Sequence, residues 1–235
     1  MITTNSFCGR LSLLVCGLGL LAGALPLAGA VPKDLPPVAS KAPPRIRIPT
    51  IPDVPRDQVI CFCLYTTQNR VLKLTAVLYP LEDGEPREVT LEIERGARWQ
   101  KADAAKVNPD GWLALFRVEG WDDASAARYR VTHAGGARYE GTIRRNPRDQ
   151  DEIKVGVFTG NGNSDRGPRP DIVANIKAQD ADLLFFSGDQ SYDHLHHTAA
   201  WLQFGRQFGE IVKDPPTVTI PDDHDVGQGN LWGAN

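Results

Sequence analysis

Two short runs hold the residues best suited to chemistry: Gly188-Asp189-Gln190-Ser191-Tyr192 and Pro221-Asp222-Asp223-His224-Asp225. Carboxylate and imidazole are the groups that hold hard or borderline divalent and trivalent cations. Gly-Asp after a strand is common as turn chemistry alone. The second run is the rarer signal, because its clustered carboxylates repel one another unless a cation or solvent relieves them. The weight lies in the two runs occurring in order, Asp189 and Asp223 being about 34 residues apart.

The elements around these runs say how they meet. Ile153-Lys154-Val155-Gly156-Val157-Phe158 is β-rich and runs into the polar loop Thr159-Gly160-Asn161-Gly162-Asn163. Residues 170–179 place Ile172, Val173 and Ile176 at helical spacing. Asp182-Leu183-Leu184-Phe185-Phe186 is apolar almost throughout, as a strand buried on both faces is, and it leads into Ser187-Gly188-Asp189. A second helical period covers 201–208 and continues to Ile211-Val212. Pro216-Thr217-Val218-Thr219-Ile220 is a third strand, leading into the Asp-Asp-His-Asp run. Strand, helix, strand, helix, strand opens an α/β domain with a parallel sheet, in which ligands bind just beyond the carboxyl ends of the strands. Three loops therefore converge on one place, with glycines that let backbone approach a ligand closely.

Upstream, over 58–147, the apolar period falls to two. Six or so short runs at 59–65, 71–79, 88–94, 112–119, 127–133 and 139–144 are divided by turn signals such as Glu82-Asp83-Gly84 and Asn108-Pro109-Asp110-Gly111. That spacing predicts an antiparallel β-sandwich of immunoglobulin or fibronectin type. Trp99, Trp112 and Trp121 read as core or edge aromatics, with sugar binding as the alternative. Cys61 and Cys63 stand two apart on one strand, a poor geometry for a disulfide, and read as small buried residues.

Residues 31–57 are rich in proline and form a semi-extended linker. Residues 1–30 carry Arg10, an apolar run and Ala28-Gly29-Ala30, the layout of a cleaved secretory signal; a retained anchor or a lipidated Cys16 are the alternatives. The chain is thus expected to be exported to the periplasm or beyond the cell, with no further membrane segment. Among 235 residues the formal charge is −3 and charged residues make up 23%, which leaves no basic excess for a nucleic-acid partner.

At the two polar runs the chain resembles the calcineurin-like metallophosphoesterases, and among them the PhoD-like alkaline phosphatases. Residues 187–193 are similar to that family's Gly-Asp-x-x-Tyr block, and residues 221–225 to its Asp-Asp-His-Asp/Glu block. The resemblance implies a phosphoric ester hydrolase with two metal ions, iron and calcium by family habit, with zinc or manganese as other options. It implies Asp189 bridging the metals, Tyr192 and Asp223 as further metal ligands, and His224 protonating the leaving group. The substrate implied is a small-molecule phosphate ester, attacked by a water that the two metals activate. A preceding β-sandwich is also a habit of the family.

Two departures accompany the resemblance. The family has Asp-x-His or Cys after the first strand, whereas here Asn161 is the positional match, a neutral amide and a weaker ligand. The family's downstream histidines have no counterpart before Asn235, so the chain is expected to be the N-terminal part of such an enzyme, 152–235 being a truncated catalytic domain. His194-Leu195-His196-His197 is read as a solvated loop or helix start beside the site rather than a ligand set. A secreted binding protein built on the sandwich, or a phospholipase-like or nuclease-like hydrolase on the same site, are the other readings of these residues.

Overall fold

The structure, a computed structural model, describes residues 10–14, 48–162, 167–192 and 196–226. Most of the expected signal and part of the proline-rich linker lie outside the described residues. Within the leader run, Arg10–Leu14 form strand β1. Residues 48–55 have no regular structure, and a single 3-10 turn at Arg56–Gln58 leads into the first sheet. Arg56 ties this entry down by pairing with Glu85.

Seven antiparallel strands follow: β2 (Ile60–Gln68), β3 (Val71–Leu78), β4 (Glu88–Arg95), β5 (Arg98–Lys106), β6 (Leu113–Glu119), β7 (Ala127–His133) and β8 (Arg138–Ile143). They form two sheets, β2-β3-β6 and β5-β4-β7-β8, so the chain changes sheet between β3 and β4, between β5 and β6, and between β6 and β7. Alternation drives this. In β4, Val89, Leu91 and Ile93 are buried between polar neighbours, and in β7 Ala127, Tyr129, Val131 and His133 are buried. Removing a Leu or Tyr side chain such as Leu72, Leu91 or Tyr129 from water stabilises the sandwich by roughly 1.5–3 kcal/mol each. Strand β5 is absent from the sequence expectation. It is an edge strand whose residues are exposed or half-buried, so no apolar alternation marks it.

The remaining elements are β9 (Glu152–Phe158), α1 (Pro170–Gln179), β10 (Leu183–Phe186), α2 (His197–Val212), β11 (Thr217–Thr219) and α3 (Asp223–Val226). Strands β9, β10 and β11 are parallel neighbours, with β1 parallel on the outer edge of β9. The polar run at 221–225, expected as a loop, closes into the one-turn helix α3. Among the described residues no helix is long and apolar enough to cross a membrane.

Helix α2 joins the two parts. Its apolar face puts Phe204 and Phe208 on Phe186 and Phe158 of the parallel sheet. Its other flank receives Phe62 of β2, whose ring also meets Trp201 and Phe204 edge-on. The close approach needs a glycine: a Cβ at Gly205 would stand 2.1 Å from Phe62 Cδ1. A bulge at Ile60/Phe62 lets Phe62 reach this notch while Cys61 turns its thiol to the Leu202 carbonyl. Both described cysteines are free, Cys63 buried and Cys61 half-buried. Three sandwich tyrosines then hold the C-terminal end of α2. Tyr139, Tyr129 and Tyr65 donate to the carbonyls of Gly209, Lys213 and Asp214 at 3.0, 3.1 and 2.6 Å, groups that a helix end leaves without helical partners.

Substituting Gly205→Ala is expected to lower stability in urea unfolding by roughly 2 kcal/mol. Helix propensity alone would raise it by about 1 kcal/mol, so a destabilised variant identifies the Phe62 contact as the dominant effect. Burial, first of all, raises the phenols of Tyr65, Tyr129 and Tyr139 above the ordinary value of 10.0. A folded-state value above the unfolded one gives stability that is complete below pH 10 and lost as the pH rises further. Far-UV circular dichroism should therefore show alkaline unfolding that begins above pH 10, and Tyr129→Phe should carry its midpoint upward.

Candidate metal centre

The parallel register brings the three polar loops to one level. Phe158 pairs with Phe186, and Phe186 with Thr219, so the chain leaves β9, β10 and β11 at the same height. Backbone bonds then lace the loops together: Gly160 N–H to Gly188 O at 3.3 Å, Asn161 N–H to Asp189 O at 2.7 Å, and Ile220 N–H to Phe186 O at 3.0 Å. Gln190, buried, donates its amide to Phe186 O and Ile220 O at 3.3 and 3.0 Å and so fastens the last two loops from below.

Two backbone features aim Asp189. Gly188 has φ +106°, and a Cβ there would lie 2.5 Å from Asp222 Cβ, so the second and third loops touch only because this residue is glycine. Asp189 itself sits in the left-handed region at φ +54°, an unfavourable state that the surrounding bonds impose. The main restraint is Asp225. Its carboxylate accepts the Asp189 and Asp222 N–H groups at 2.6 and 3.0 Å through Oδ2, and that of Ser191 at 3.3 Å through Oδ1. Charge-assisted bonds of this kind are the strong ones.

The outcome is a compact ligand set. Asp189, Asp223 and His224 each offer an atom within 4.8 Å of the others. Asp189 Oδ1 is buried with no hydrogen-bond partner among the described residues. Two carboxylates at that separation repel by roughly 3 kcal/mol in a medium of effective dielectric about 20. His224 Nε2 stands 3.9 Å from Asp223 Oδ2, too far for a hydrogen bond. An orphaned buried carboxylate oxygen, a second carboxylate and an imidazole together fit a cation.

Tyr192 completes one wall. Its ring lies 4.3 Å from that of His224, tilted by 48°. It also covers the first loop, its Cε2 being 3.1 Å from where a Cβ on Gly162 would stand. Burial first, then the neighbouring Asp189 carboxylate, pushes its phenol above the usual value, so it stays protonated. Asn161 is close in backbone but turned away in function. Its side-chain nitrogen donates to Gln190 O at 3.1 Å and to Gln207 Oε1 at 2.8 Å, leaving only its Oδ1 for a cation.

Sequence reading passed over two residues here, Asp225 and Gln207. Asp225 was the fourth residue of a motif and carried no role of its own. Gln207 is a buried amide on the apolar face of α2; it holds Asn161 and donates to Gly167 O at 2.8 Å. A glutamine at core spacing between Phe204 and Phe208 was the available signal. His197, the first residue of α2, lies beside His224 across a small cavity, while His196 caps the helix without a side-chain bond and His194 is outside the described residues.

No family profile and no curated protein matches the chain. Solved structures do. The structure of PhoD superposes with a TM-score of 0.57 at 13% identity, covering 75% of this chain and 41% of that one. A purple acid phosphatase from yellow lupin (Lupinus luteus) seeds gives 0.50 at 16% identity, covering 68% and 34%. The chain thus spans about two-fifths and one-third of their lengths. The likeness is one of fold, and it is the metallophosphatase fold that the motif resemblance implied.

If Asp225 positions and Asp189 ligates, the two should differ in kind. By isothermal titration with Mn2+, Asp225→Asn should weaken binding by about tenfold to a hundredfold with stoichiometry retained. Asp189→Asn should remove the measurable site.

Proposed function

We propose that this chain carries part of a metal-dependent phosphoesterase site and belongs to an exported phosphatase or phosphodiesterase acting on small phosphate esters. The observation that carries this reading is Asp189 Oδ1, buried and unpartnered among the described residues, facing Asp223 and His224 at the carboxyl ends of parallel strands. The fold shared with PhoD and a purple acid phosphatase supports it. So does the paired Gly-Asp and Asp-Asp-His-Asp spacing.

In this reading Asp189, Tyr192 and Asp223 hold two metal ions, with Asn161 Oδ1 as a weak contributor; iron with calcium is preferred, and zinc or manganese are alternatives. Bound metal would neutralise the phosphoryl oxygens and make a water acidic enough to attack at neutral pH. Asp189 would supply the anionic charge that bound metal needs offset. Tyr192 stays protonated beside Asp189 in the metal-free chain, and its oxygen would serve as a further ligand when metal is bound. His224 donates a proton to the ester oxygen as its bond to phosphorus breaks, a role that its position at the rim of the ligand set suits. Asp225 stays outside the chemistry and keeps Asp189 and Ser191 in place. The sandwich is read as immunoglobulin- or fibronectin-like, its first, second and fifth strands facing the other four. Export rests on the composition of residues 1–30.

Elemental analysis after loading with iron, calcium, zinc or manganese and gel filtration is expected to leave metal on the protein, and less than about a tenth as much on Asp189→Asn. p-Nitrophenyl phosphate and bis(p-nitrophenyl) phosphate then assign mono- or diesterase activity, which His224→Ala should reduce by about 100-fold or more. A chain that retains none of the four metals overturns the reading.

A further inference from the structure

Beside the ligand set lies a cavity of about 180 Å³ that the chemistry above does not use. His224 forms one wall, so the cavity opens from the residue that would face the departing oxygen. The opposite wall is α2, contributing Ala200 and Trp201, with His197 at its first turn. Gln190, Ser191 and Asp225 complete the lining, so Ala200 and Trp201 form an apolar patch among polar groups.

The indole is prepared to receive a ring. Phe204 stacks on it at 4.7 Å and 7°, and Phe62 meets it edge-on at 5.4 Å. Phe62 and Phe204 are themselves only 6.0 Å apart. The three rings form a triangle of 4.7, 5.4 and 6.0 Å that anchors the indole where it lines the cavity. Trp201 is half-buried and fixed in orientation by these contacts, which removes most of the entropy that a free side chain would lose on gripping a ligand.

We propose that this cavity is the subsite for the organic group of the ester and that Trp201 selects a flat, aromatic alcohol as leaving group. The inference rests on the phosphoesterase reading, since it is His224 that gives the cavity its place in the reaction. A phosphoryl group held by metal at Asp189 and Asp223 would direct its ester oxygen past His224 and lay an aryl ring against Ala200 and Trp201. A methyl ester would leave the cavity to water and gain none of that contact. Offset stacking and apolar burial both favour the ring.

Three non-hydrolysable or product probes test this by titration calorimetry on the metal-loaded chain: phenylphosphonate, methylphosphonate and inorganic phosphate. Phenylphosphonate should bind about tenfold or more tightly than methylphosphonate. Two variants, checked for folding by circular dichroism, should abolish that preference: Trp201→Leu, which keeps an apolar contact for Phe62 and Phe204, and Ala200→Leu, which fills the cavity. Equal affinities in the wild-type chain overturn the subsite while leaving the phosphate site standing, as does a preference that survives in either folded variant. Failure to bind all three probes, inorganic phosphate included, refutes the phosphoesterase reading itself and the subsite with it.

Discussion

The seat of α2 on β2 is the contact on which the rest of the molecule depends. Phe62 enters a notch that exists only because Gly205 has no side chain, and the tyrosines of the sandwich hold the carbonyls at the end of the helix. Once α2 is fixed at both places, its remaining faces are fixed too. Gln207 then reaches Asn161 and Gly167, Trp201 and Ala200 stand opposite His224, and Phe204 and Phe208 cover the parallel sheet. The sandwich therefore acts on the site without touching it. It sets the position of the helix, and the helix sets the first loop and the cavity wall.

The site adds a second constraint, which is electrostatic. Two aspartates on adjoining loops, Asp225 and Asp189, differ in their surroundings. Asp225 is surrounded by backbone N–H groups from two loops, so its charge is neutralised by protein dipoles and it has little left to offer a cation. Asp189 is delivered into a buried position by a strained backbone and has an oxygen for which no described residue provides a donor. Proteins satisfy buried polar atoms almost without exception, so such an atom marks where a ligand belongs. The protein satisfies the first carboxylate and leaves an oxygen of the second without a donor.

Much of this was legible in the sequence. The parallel order of three strands, both helices between them and the convergence of their loops followed from period and from the polar residues at strand ends. Asp189, Asp223 and His224 meet as the paired motifs implied, and Tyr192 stands beside them. Strand β5 was hidden because an edge strand half open to solvent leaves no apolar alternation to read. The α3 turn was hidden because Asp222 and Asp225 build it by bonds between near neighbours, which composition reads as loop. Asn161 was placed correctly along the chain, but its amide orientation depends on Gln207, some 46 positions away. No local pattern encodes that contact.

The same distinction explains why the cavity could not have been foreseen. A motif lists residues that must be near a phosphate, and those are short polar runs at fixed offsets. What lies beyond the phosphate is selected by whichever surface the fold brings opposite, here one face of α2. The sequence places Trp201 only within a helical period, and in the fold Phe204 and Phe62 pack against it as they would against any buried ring. The same two contacts hold its ring in place where it lines the cavity that His224 shares. A side chain held in that way presents a fixed surface to whatever enters, and it is the fold, not the motif, that supplies it.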